Sequence, residues 1–135
     1  MNGASSIVEV VGACVRRADG RVLLASRPTG KAQSGYWEFP GGKVEQGETP
    51  EQALARELRE ELDLAAEGFR ILGSVVHEYP EKRIRLTLLA CSPCTGAEPK
   101  PRENQRVAWV APEELPRYPL CPADAELLPC LNAFC

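Results

Sequence analysis

The sequence predicts an α/β fold in which a mixed β-sheet is sandwiched between α-helices. Two observations predict it. Segments rich in β-branched residues lie before, between and after two helical stretches. The stronger helical stretch carries Leu54, Leu58 and Leu62 at one-turn spacing, a stripe that would seat it on a sheet. No repeat, low-complexity tract or interdomain linker interrupts residues 1–135, and that length suits one domain with one core.

In chain order, "IVEVVGACVRR" (7–17) reads as a strand. Asp19-Gly20 then gives a hairpin signal, so "RVLLASR" (21–27) is expected to pair back on it. The polar loop "PTGKAQSG" (28–35) leads into the aromatic segment "YWEFP". Thr49-Pro50-Glu51-Gln52 starts a helix: Thr as N-cap, Pro at the first position, Gln closing a capping box. Strong helix formers continue it to about Leu62. "FRILGSVVHEY" (69–79) and "IRLTLLACS" (84–92) are two more strands joined by the tight "PEKR" turn. A proline-rich loop (93–105) and the strand "RVAWVAP" (106–112) follow. The last element is expected to be a helix from about Ala123 to Phe134, kinked or ended early by Pro129.

Composition narrows the function classes. The chain is 44% hydrophobic and 26% charged, as in ordinary soluble globular proteins. No apolar run approaches the roughly 18 residues of a membrane span. "MNGASSIVEVVGACV" has no basic leader before its apolar run, so export is not expected and a cytoplasmic setting is. A net charge of −3 argues against an electrostatic grip on nucleic acid polymers or anionic membranes. It leaves room for a small anionic ligand carried in by metal ions. Of the six cysteines, Cys91-x-x-Cys94 has the spacing to begin a zinc site. However, no second CxxC or His pair follows, and His77 is the single histidine. The thiols are expected to be buried or incidental.

The informative stretch is "GGKVEQGETPEQALARELREELDL". Glu57, Glu60 and Glu61 share one helix face within about a 100° arc. Like charges so placed repel by a few tenths of a kcal/mol per pair. A solvated acidic face, with Arg56 paired to Glu60, is the bland reading. The neighbouring Gly41-Gly42 turn favours another. Three carboxylates and a backbone carbonyl make an oxygen-only site suited to Mg²⁺ or Mn²⁺, and such cations bridge carboxylates to phosphates.

Gly42, five residues, Glu48, seven residues, then Arg56-Glu57-Leu58-x-Glu60-Glu61 resembles the signature of the Nudix hydrolases. Leaving Leu58 aside, the other six fixed residues match by chance on the order of once in ten million starts. "EFPGGKVEQGETPEQA" and "YPLCPAD" are similar to segments of the MutT-type nucleoside triphosphate pyrophosphohydrolases, and the likeness spans nearly the whole chain. One departure is Asp63, where the family usually has a helix-ending glycine. A left-handed Asp is expected to cost roughly 1 kcal/mol without touching the chemistry.

The resemblance implies a Nudix fold and hydrolysis of a small-molecule nucleoside triphosphate to monophosphate and pyrophosphate. It implies that Glu57, Glu60 and Glu61 ligate the metals with the Gly41–Gly42 backbone, joined by Glu103 from a later loop. Glu57 is the first choice for general base and Glu103 the second, with Glu60 also in the catalytic set. Glu48 and Arg56 are expected to form a scaffolding pair. Arg27 matches a phosphate-contacting position, suited to a bidentate fork; Lys43 is a weaker parallel. Asp124 falls where relatives read the base, with Phe39 and Leu86 as packing partners and Tyr36, Trp37 and Tyr79 as looser wall candidates. His77 is expected to be structural.

An ionised Asp124 only accepts hydrogen bonds. Guanine offers two donors on one edge, so 8-oxo-dGTP is the expected substrate. The subgroup that takes CTP, dCTP or 5-modified dCTP is the rival, because Asp at this position occurs there too. A non-catalytic nucleotide-binding module on the same scaffold, and a zinc-binding interaction protein, stand behind both. Oligomeric state is left open.

Overall fold

The computed structural model describes residues 6–27, 35–102 and 104–133. Among the described residues, seven strands and two α-helices run in the order β1 (Ile7–Val15), β2 (Val22–Ser26), β3 (Trp37–Glu38), β4 (Gly41–Lys43), α1 (Pro50–Leu62), β5 (Ala66–Tyr79), β6 (Lys82–Pro93), β7 (Val107–Val110) and α2 (Pro122–Glu126). Two 3-10 segments, Pro112–Arg117 and Leu128–Ala133, flank α2. The strands form a four-stranded mixed sheet, β4-β1-β6-β5, and a three-stranded antiparallel sheet, β3-β2-β7. The mixed α/β class therefore holds.

The expected hairpin between β1 and β2 does not form. Asp19-Gly20 does reverse the chain, with Gly20 at φ 90° and the Arg17 N–H donating to the Arg21 carbonyl. Beyond the single bridge Arg16–Val22, however, the two strands part. Both edges of β1 are already taken, by β6 in parallel and β4 in antiparallel register, so β2 pairs with β3 and β7 instead. A turn signal fixes a reversal, not a partner.

Strand periodicity divides the core in two. Val11, Ala13 and Val15 of β1 face one cluster with Leu89 and Cys91 of β6, where Leu54, Leu58 and Leu62 of α1 close over them. Cys14, Ile84, Leu86 and Leu88 face the other, covered by Val22, Leu24 and the C-terminal segment. Those three helix leucines are fully buried, each contributing about 1.5–3 kcal/mol of hydrophobic stabilisation.

Both ends of α1 are specified locally. Thr49 Oγ1 accepts the Gln52 N–H at 3.1 Å and Gln52 Oε1 accepts the Thr49 N–H at 3.0 Å, completing the capping box. Asp63 ends the helix in the left-handed region, φ 49° and ψ 39°, the conformation the family's glycine would supply. The expected long C-terminal helix is shorter than the sequence indicates: α2 stops at Glu126 and a 3-10 segment carries Pro129. Proline offers no N–H and crowds the preceding turn, so the α-helical ladder cannot pass it. Phe134 lies outside the described residues.

Candidate active site

Two close backbone approaches set the geometry. Val11 pairs with Gly42 and Gly12 with Gly41 where β4 runs along β1. A Cβ on Gly41 would fall 1.9 Å from the Val11 carbonyl oxygen. A Cβ on Gly42 would fall 2.4–2.6 Å from the carboxylate atoms of Glu57. Only glycine lets the acidic helix lay a carboxylate directly on this turn.

Arg56 organises the carboxylates around it. Its Nε donates to Glu48 Oε2 at 2.7 Å, and its Nη1 lies 3.1 Å from Glu57 and 3.2 Å from Glu60. Its Nη2 donates to Glu48 Oε1 and to the Lys43 carbonyl, each at 3.0 Å. The fork beside Glu48 holds that carboxyl down at about 2, and the carboxylates in turn raise the Arg56 pKa. The scaffolding pair read from sequence is in place. Glu57, 17% exposed, is pushed up from the ordinary carboxylate value, chiefly by burial, with Arg56 opposing. Glu60 projects to solvent, its side chain 60% exposed, and Glu61 is half-buried.

The three glutamates share the α1 face as expected, but among the described residues no three acidic, His or Cys side chains close on one point. Arg56 stands between Glu57 and Glu60, and Glu103 lies outside the described residues. The donor set still fits a hard divalent cation: carboxylate and carbonyl oxygens alone, with Glu57 packed on the Gly42 backbone.

A cavity of about 400 Å³ opens beside this turn, and Gly41 and Gly42 line it together with Arg27, Glu38, Phe39 and Asp124. Three candidates from distant parts of the sequence thus meet in one place. Asp124 sits on α2, 7% exposed, and its Oδ2 accepts the Phe39 N–H at 2.9 Å. Burial, reinforced by the Glu38 charge, pushes its carboxyl up to about 7, against the pull of Phe39 N–H and Arg27. Arg27 Nη1 lies 3.5 Å from Glu38 Oε1. Phe39, Ile84 and Leu86 supply apolar wall, and Cys121 beside them has a thiol pushed up to about 12, chiefly by burial.

Some expectations fall elsewhere. Trp37 packs edge-on against Tyr118, with ring centres 5.5 Å apart, and Tyr36 is exposed. Lys43 is exposed and contributes its carbonyl to Arg56. Tyr79 does line the cavity, and its hydroxyl accepts the Ala123 N–H at 3.2 Å, steadying the helix that bears Asp124. His77 Nδ1 meets Glu126 Oε2 at 2.5 Å and ties β5 to α2, a structural role. Cys91 is buried in the core while Cys94 lies near Glu67, and among the described residues no three His, Cys, Asp or Glu side chains gather to hold a metal there. Sequence reasoning missed Glu38; the signal available was a lone carboxylate in the aromatic run "YWEFP".

A NUDIX domain model matches residues 7–131. The chain belongs to the Nudix hydrolase family. A CTP pyrophosphohydrolase of Escherichia coli is 43% identical over 95% of this chain and 91% of its own length. An 8-oxo-dGTP diphosphatase of Haemophilus influenzae is 38% identical over 90% of this chain and 89% of its own. Among solved structures, the E. coli ORF135 protein superposes with a TM-score of 0.82 at 40% identity, covering 99% of this chain and 94% of that one. Nudix hydrolases generally use divalent metal ions. Among the described residues no helix is long and apolar enough to cross a membrane.

Proposed function

We propose that this Nudix protein hydrolyses nucleoside triphosphates to a nucleoside monophosphate and pyrophosphate. The observation that carries the proposal is the shared Gly41–Gly42 turn: one side lines the cavity holding Asp124 and Arg27, and the other receives Glu57. A base seated at Asp124 would run its phosphates toward the acidic helix. The names of the E. coli and H. influenzae relatives support the reaction class.

Water attacks the β-phosphorus. A P–O bond forms there, the bond to the α,β-bridging oxygen breaks, and the monophosphate leaves with that oxygen. Glu57 takes the proton from the attacking water; Glu103 is the second candidate for this role. Arg27 donates to the phosphate chain, for which a planar fork is suited. A divalent cation, Mg²⁺ first and Mn²⁺ second, held by Glu57, Glu60, Glu61, Glu103 and the Gly41–Gly42 carbonyls, would neutralise phosphoryl charge and acidify bound water.

The base reading turns on Asp124. Held near 7, its carboxyl is available as the neutral form, which pairs one donor with one acceptor. The doubly accepting carboxylate expected from sequence is therefore not the sole form to consider. Cytosine offers the complementary pair at N4–H₂ and N3. 8-Oxoguanine offers it at N7–H and O6; unoxidised guanine, whose N7 carries no proton, offers such a pair only on its other edge, at N1–H and O6. CTP, dCTP and 5-substituted dCTP are the leading substrates, supported by the 43%-identical relative. 8-Oxo-dGTP is the second reading, favoured by the same carboxyl and by the diphosphatase relative; it would make the protein a sanitiser of the cytoplasmic nucleotide pool.

The test is pyrophosphate release with Mg²⁺ from CTP, dCTP, 5-methyl-dCTP, 8-oxo-dGTP and dGTP. Cytosine nucleotides or 8-oxo-dGTP should exceed dGTP at least tenfold in kcat/KM, about 1.4 kcal/mol at the transition state. Glu57→Gln should lower kcat by roughly 10²-fold or more. Equal turnover of all five would sink the base assignment alone. No turnover, with Glu57→Gln identical to wild type, would leave a non-catalytic binding module.

A further inference from the structure

The loop between β6 and β7 is docked on the C-terminal turn of α1. Arg102 Nη2 and Nε donate to the Glu60 carbonyl oxygen at 2.6 and 3.2 Å. The Lys100 N–H donates to the Leu62 carbonyl at 2.6 Å. Both acceptors are carbonyls that the end of a helix leaves without intrahelical partners. Within the helix the Glu60 carbonyl would ordinarily receive the Leu64 N–H, but that N–H reaches back to Leu58 at 3.1 Å. The left-handed turn at Asp63 redirects it. Arg102 thus supplies the missing donor, and its charge sits at the negative end of the helix dipole.

The contacted residue is a member of the acidic face. We propose that Arg102 is a positioning residue: by gripping the Glu60 carbonyl it fixes the last turn of α1, and with it the approach of Glu60 and Glu61 to a divalent cation. This rests on reading Glu57, Glu60 and Glu61 as the metal face. Without the clamp the helix end frays, since final turns are held by few bonds. The exposed Glu60 and half-buried Glu61 carboxylates on it then sample orientations that do not bind metal.

Mn²⁺ titration of the purified protein, followed by the EPR signal of the free ion, separates the possibilities. Arg102→Ala should weaken Mn²⁺ binding roughly tenfold or more, the range seen when groups that orient metal ligands are removed. Arg102→Lys, which keeps a donor and a charge, should recover most of the affinity. Lys100→Ala should bind Mn²⁺ nearly as wild type does, because its backbone N–H to Leu62 is kept and the lost side-chain pair with Asp63 is exposed at 3.6 Å. In Mg²⁺-dependent turnover, Arg102→Ala should raise the Mg²⁺ concentration needed for half-maximal rate while kcat at saturating Mg²⁺ stays within a few-fold. Wild-type Mn²⁺ affinity in Arg102→Ala would overturn the proposal and leave the metal face standing. Failure of the wild type to bind Mn²⁺ would overturn both.

Discussion

Asp124 Oδ2 accepts the backbone N–H of Phe39 across 85 residues of sequence, at 2.9 Å inside a largely apolar cavity. One bond both orients the carboxyl and joins α2 to the end of β3. Even with Asp124's own backbone N–H and the Arg27 charge beside it, that donor does not offset burial next to the Glu38 charge.

Stability should therefore fall as pH rises through the window set by Asp124. Its folded-state pKa of about 7 lies above its ordinary value of 3.8, so the folded protein binds the extra proton between those limits. The unfavourable contribution is absent below about pH 4, grows between, and is constant above about 7, reaching on the order of 4 kcal/mol. Asp124→Asn removes this slope. Thermal unfolding at pH 5 and pH 8 should show wild type losing more Tm over the interval than the variant; parallel profiles would contradict the assignment.

Glu48 predicts the opposite sign. Arg56 depresses its pKa to about 2, so its contribution is full above the usual carboxylate range and is lost as pH falls through 4.5 toward 2. Glu48→Gln should make acid unfolding in that interval shallower when followed by circular dichroism.

The two glycines of the turn should fail differently. Gly41→Ala drives a methyl into the Val11 carbonyl at 1.9 Å, a clash with backbone that pairing of β1 and β4 cannot absorb. It should cost about 3 kcal/mol or more. Gly42→Ala meets the movable end of Glu57 instead. It should unfold close to wild type in urea while losing up to ~10²-fold in kcat/KM, because a displacement of about 1 Å is enough for that. Equal effects of the two substitutions on stability would show that the turn is a packing feature alone.

Asp63→Gly should stabilise. Asp63 holds φ 49°, where glycine is unstrained, and its pair with Lys100 is exposed at 3.6 Å. Relief of roughly 0.5–1 kcal/mol should exceed what that surface pair contributes. A urea midpoint moved upward with unchanged slope is the expected reading, and a lower midpoint would show that the ion pair matters more than the strain.

Several features were legible in the sequence because their causes are local. Thr49, Pro50 and Gln52 specify a helix start within four residues. Glu57, Glu60 and Glu61 share a face through helical spacing alone. Asp63 lies where the chain must turn left-handed, and it does. The Arg56–Glu48 pair follows from a motif whose spacing brings loop and helix together. Even the two-sided burial of β1 is visible in its run of apolar residues.

Tertiary structure decided what local rules cannot reach. The Asp19-Gly20 turn forms, yet β2 leaves β1, since edge pairing depends on strands far along the chain. Asp124 read from sequence as an ionised double acceptor; burial with Glu38 nearby holds it near 7, and burial is a property of the assembled core. Arg102 carried no sequence signal, because a guanidinium finds the Glu60 carbonyl only after a loop 42 residues distant folds back on the helix end. The sequence determined which groups this protein carries and the local form of each. Packing decided which of them share a cavity, which hold a proton near neutrality, and which hold another in place.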